Sequence, residues 1–74
     1  MTEGISIDPD VCHGKPVIAG TRVLVSTVLG ALAGGDSRET AAEDYGITDE
    51  QIAAALQFGR DMADFQGAAY DAGA

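Results

Sequence analysis

Tyr45-Gly46-Ile47-Thr48-Asp49-Glu50-Gln51 is the stretch that decides how this chain folds. Thr48, followed three residues later by Gln51, forms a capping box, in which each side chain satisfies the other residue's backbone N–H. Asp49 and Glu50 then put negative charge into a first helical turn, where the free amides carry partial positive charge. Tyr45-Gly46-Ile47 supplies a tight connection from a preceding helix. Two helices joined by so short a link have the dimensions of a helix-turn-helix.

Working upstream, Asp36 with Glu39 predicts a second capping box and a short helix through about Asp44. Gly34-Gly35 stops the helix before it, since glycine readily takes the left-handed backbone of a helix end. In that first helix Val25, Val28, Leu29 and Leu32 fall at i, i+3, i+4 and i+7, with Ser26 as the expected cap. The N-terminal residues read as extended and rich in turns. Ile5-Ser6-Ile7 alternates as a half-buried strand does, and Asp8-Pro9-Asp10 breaks it. Val17-Ile18 and Val23-Leu24-Val25 flank Ala19-Gly20-Thr21-Arg22, predicting a tight hairpin with Gly20 at positive φ. The expected class is mainly α. A short N-terminal β-hairpin or extended segment over residues 5–25 precedes a three-helix, helix-turn-helix-like bundle over 26–66. A flexible tail over 67–74 completes a single domain.

With 74 residues the chain affords one domain and a thin core. Its single cysteine excludes an internal disulfide and a four-cysteine zinc site. No apolar run nears the roughly 18 residues that span a bilayer. Met1-Thr2-Glu3-Gly4 lacks the basic and then apolar regions of a secretory signal, which points to the cytoplasm. The formal charge is −8, of which residues 36–74 carry −7. Such an acidic surface opposes unaided attraction to nucleic acid.

Downstream of Gln51, the third helix has more apolar surface than one core requires. Ile52, Leu56, Gly59 and Ala63 share one face, while Ala55, Phe58, Met62, Phe65 and Ala69 form a second stripe about 110° around. A thin domain could wrap both stripes. Alternatively, Ala55, Phe58, Met62 and Phe65 meet another chain, because exposed aromatic and methionine side chains mark interfaces.

The run Asp8-Pro9-Asp10-Val11-Cys12-His13-Gly14-Lys15-Pro16-Val17-Ile18-Ala19-Gly20-Thr21-Arg22-Val23 resembles the signature of the bacterial domain-of-unknown-function 433 family. The order of the later elements is also similar, through Ala41-Ala42-Glu43-Asp44-Tyr45-Gly46-Ile47-Thr48, so the likeness covers about residues 5 to 58. The resemblance implies a small helix-turn-helix protein with a Gly-Lys-Pro…Gly-Thr-Arg hairpin. It further implies an antitoxin-like role beside a PIN-like ribonuclease, with no catalytic residues to carry over.

Cys12-His13 flanked by Asp8 and Asp10 has metal-ligand chemistry, but neighbours on an extended chain point to opposite faces. Cys12 is therefore expected as a small buried group and His13 as an exposed turn residue, with no metal or cofactor. Gly14-Lys15-Pro16 and Gly20-Thr21-Arg22 lack the spacing and the following helix of a phosphate loop. They read as a structural hairpin or a partner contact, with Arg22 bonding local carbonyls or the carboxylates of Asp8 or Asp10. In a DNA-reading helix-turn-helix, Thr48, Gln51 and Arg38 would make the contacts, although Asp49 and Glu50 would face phosphates. No nucleophile, base and orienting group can be assembled, which argues against an enzyme. The expected function is a non-catalytic antitoxin-like protein that forms a homodimer and neutralises a basic PIN-like toxin. The alternative is a dimeric DNA-binding autoregulator.

Overall fold

A computed structural model describes residues 3–71, with side chains described through residue 64. Strands β1 (Ile5–Ser6) and β2 (Val17–Ile18) pair antiparallel, with Ile5 opposite Ile18 and Ser6 opposite Val17. Three helices follow: α1 (Val25–Ala33), α2 (Arg38–Tyr45) and α3 (Asp49–Asp71). Mainly helical with a short N-terminal two-stranded sheet, the architecture is the one expected.

The predicted turn forms, but its strands pair differently. Thr21 N–H donates to Ile18 O at 3.0 Å, and Gly20 at φ +79° occupies the position of a type II turn that demands a positive φ. The Thr21 hydroxyl locks this turn, donating to Ile18 O at 2.8 Å and accepting from Val23 N–H at 3.0 Å. Beyond it, Val17 and Leu24 make only an isolated bridge, and Val25 already starts α1. The main partner of β2 is instead β1, a pairing across ten intervening residues that local alternation could not specify.

Helix ends explain further differences. At the N-terminus of α1 the capping position is Leu24, with no side-chain bond, so Ser26 lies inside the helix and does not cap it. At its C-terminus, Gly35 N–H donates to Leu32 O and Asp36 N–H to Ala31 O, the paired bonds of a Schellman motif. Gly35 has the φ of +108° that this stop requires. Because Asp36 is drawn into that stop, the cap of α2 falls one residue later. Ser37 Oγ accepts from Thr40 N–H at 3.0 Å, replacing the expected Asp36–Glu39 box. Gly46, left-handed, ends α2, and the three-residue link Gly46–Thr48 leads to α3 as expected. The Thr48–Gln51 box forms in full: Thr48 N–H donates to Gln51 Oε1 at 2.8 Å, and Gln51 N–H to Thr48 Oγ1 at 3.1 Å. The helix then continues through Gly59 and Gly67 to Asp71, into the segment read from sequence as a tail; residues 72–74 lie outside those described. Each interior glycine costs only about 1 kcal/mol relative to alanine, too little to break an established helix.

The core joins all these pieces. Ile18, Val28, Ala41, Ile52 and Ala55 are 0% exposed, and Ile5, Val17, Val25 and Ile47 nearly so. Among the described residues no polar or charged side chain is buried, and no helix is long and apolar enough to cross a membrane.

Candidate functional site

The geometry of α3 redistributes the two apolar stripes. Its buried side is centred between them, on Ile52 and Ala55, because α1 packs there through Val28 and Leu29. Ala55, expected at a partner surface, is a core residue. Leu56, expected in the core, is 37% exposed, and Ala63 is also exposed. Phe58 is half-buried against the core, while Met62 is 42% exposed. The side chain of Phe65 lies outside those described.

Phe58 and Met62 border an apolar groove of about 520 Å³, together with Lys15, Pro16, Leu29 and Ala63. Val25 and Leu29, on the α1 stripe that periodicity assigns to the core, and the exposed Ser26 beside them were not foreseen as lining a site. Lys15 is the one charged residue in this lining. On another side of α3, Glu3, Glu50 and Asp61 line an acidic cleft, in which Gln57 Nε2 donates to Asp61 Oδ1 at 3.1 Å.

The Gly-Lys-Pro and Gly-Thr-Arg segments shape one rim of the groove and the turn behind it. Pro16 O accepts from Val25 N–H at 3.0 Å, anchoring the start of α1. Gly14 follows Cys12 and His13 in a left-handed turn, with φ values of +50°, +59° and +81° along the three residues. The Cys12-His13 pair is therefore not extended, and Cys12 is half-exposed rather than buried, its Sγ donating weakly to Arg22 O at 3.7 Å. His13 is exposed. No group of three or more His, Cys, Asp or Glu is placed to hold a metal among the described residues. Arg22 points into solvent, and its guanidinium bonds neither Asp8 nor Asp10. Asp8 Oδ1 instead accepts from Asp10 N–H at 2.8 Å, closing a local turn that needs no arginine.

The three candidate DNA-reading residues are already engaged. Thr48 and Gln51 spend their side chains on the capping box. Arg38 Nε donates to Asp49 Oδ1 at 2.9 Å, and a terminal guanidinium N–H reaches Asp49 O at 3.3 Å. Reading bases with these groups would first require breaking bonds that start α3.

The profile of the family described as Protein of unknown function (DUF433) matches residues 5–59, from β1 through the half of α3 that packs in the core. The chain belongs to the DUF433 family. Its fold resembles that of a DUF433 member from Anabaena variabilis, with a TM-score of 0.73 at 30% identity, covering 78% of this chain and 58% of that one. It also resembles the crystal structure of Rv2018 from Mycobacterium tuberculosis, with a TM-score of 0.64 at 40% identity, over 70% of this chain and 24% of that one. A curated relative from the same organism, named "Putative antitoxin VapB45", is 40% identical over 52 residues, 70% of this chain and 22% of that protein. The DUF433 chain thus spans less than a quarter of the length of the curated relatives it matches.

Proposed function

We propose that this DUF433 domain is a non-catalytic, antitoxin-like module. It pairs with a second copy and, in the cytoplasm, binds and neutralises a basic ribonuclease of the PIN-like kind in a toxin–antitoxin system. The observation that carries the reading is the 40% identity to the VapB45 relative. Charge and surface support it. The −7 helical half is complementary to a positive, RNA-binding cleft and would speed encounter with it. Phe58 and Met62 supply apolar surface of the type that anchors interfaces. Neutralisation then needs no bond chemistry: an acidic body seated over a nuclease cleft occupies the place of the RNA backbone.

The test is co-expression with the product of the adjacent reading frame, followed by a ribonuclease assay. Co-purification and loss of RNA cleavage at stoichiometric amounts are expected. Undiminished cleavage in the presence of saturating DUF433 protein would remove the proposal.

A further inference from the structure

The groove beside Lys15 is open, apolar and bordered by a helix that outruns its own core. Gly59 packs closely on α1, since a Cβ there would stand 2.9 Å from Leu29 Cδ1. Residues 60–64 beyond it are all exposed, and α3 continues to Asp71. At 1.5 Å per residue, the stretch after Gly59 is about 18 Å of helix. Propagated from the packed first half, this extension keeps its helical form while its described side chains stay exposed.

Charge distinguishes the possible occupants. In a chain of net charge −8, this groove has a lysine as its single charged lining residue. A basic partner would find its complement at Glu3, Glu50 and the carboxylates of α2, and a like charge here. A helix combining apolar side chains with carboxylates matches the groove, and the second half of α3 is such a helix: exposed Met62 lies between exposed Asp61 and Asp64. Gly59 and Ala63 also keep one side of the groove low enough for a helix backbone to approach. Met62 belongs both to the groove and to the segment that would fill one. The contact can therefore be reciprocal, as a two-fold dimer requires.

We propose that the groove seats a second copy of this chain, each copy laying the second half of its α3 against Lys15, Leu29 and Phe58 of the other. This rests on the self-pairing part of the functional reading. It adds that self-pairing centres on the Lys15 groove, with Asp61 shared at its edge, so that Glu3 and Glu50 of the acidic cleft stay open in the dimer.

Light scattering and sedimentation equilibrium of the full chain test it, with far-UV circular dichroism to confirm folding. Wild type is expected to dimerise. Met62→Glu should weaken the dimer about 100-fold, because it buries a charge in an apolar contact. Lys15→Glu should weaken it about tenfold, and adding Asp61→Lys with Asp64→Lys should restore most of the loss. Leu56→Glu, on another side of α3, should change it by less than about twofold. A wild type monomeric throughout, a dimer indifferent to Met62→Glu, or one broken instead by Leu56→Glu would overturn the proposal. Ribonuclease inhibition by a chain that never dimerises would overturn this inference and leave the antitoxin reading standing. Dimerisation through Met62 without inhibition would do the reverse.

Discussion

Residues 49–59 and 60–71 form one continuous helix, yet different forces hold the two halves. The first half begins at a complete capping box and an ion pair from α2, and it drives Ile52 and Ala55 into the core at 0% exposure. It receives β1 from the other side: a Cβ on Gly4 would stand 3.0 Å from Ala54 Cβ. In the second half, every described side chain from residue 60 to 64 is exposed. Helix propagation from an established nucleus is much easier than nucleation, so the second half can exist as an extension of the first. Packing thus fixes one half, while the other presents a preformed surface whose apolar groups remain available to another chain.

The sharpest way to break this contrast is Ile52→Ala. Truncating a fully buried isoleucine should cost about 2–5 kcal/mol, a large fraction of the stability of so small a domain. Urea denaturation followed by circular dichroism measures it. A loss below about 1 kcal/mol would mean that the first half is not held by the core.

Next in size is Thr48→Ala. Removing the hydroxyl that accepts from Gln51 N–H at 3.1 Å should cost about 1 kcal/mol. Amide exchange should accelerate through the first turn of α3 before it does so around Ile52. Unchanged exchange there would show that the box does not fix the helix start.

The Thr48–Gln51 box could be read from sequence because its partners lie three residues apart and their chemistry is specific. The same holds for the turn at Gly20 and the stop at Gly35. The cap of α2 was misplaced by one residue because Asp36 and Ser37 are both good caps. What separates them is that Asp36 N–H bonds back to Ala31 O, assigning Asp36 to the end of α1. Non-local features carried no such signal. Nothing in Ile5-Ser6 or Val17-Ile18 names the other as its partner, and nothing near Arg22 shows that Asp8 is already closing its own turn. For the candidate surface, periodicity identified an apolar excess on α3 and put Met62 among the residues that would meet another chain; Met62 is 42% exposed. It misassigned Ala55 and Leu56 because helical spacing gives relative angles, and the position of α1 decides which angle becomes the core.

Gly59 sits at the boundary between the halves, and Gly59→Ala should stabilise the single chain by less than about 1 kcal/mol. Alanine gains roughly that amount over glycine in a helix interior. The opposing contact is with Leu29 Cδ1, the movable end of a flexible side chain, which need shift only a few tenths of an ångström. Methyl resonances of Leu29 should move while those of Ile52 do not. Destabilisation would place the boundary later along α3, with Leu29 too tightly held to yield.

The smallest effect on the folded single chain is expected from Met62→Ala, and it separates the two kinds of stabilisation most directly. Met62 is 42% exposed, so truncation in a dilute, monomeric sample should shift stability by no more than about 0.5 kcal/mol. Association with a second copy stabilises only the folded state, and its contribution grows with protein concentration. Thermal midpoints of wild type and variant should therefore coincide at low concentration and separate as it rises, with only the wild type climbing. Parallel curves at all concentrations would place Met62 outside any self-contact, while a large gap already present in the dilute sample would show the second half of α3 packing within its own chain.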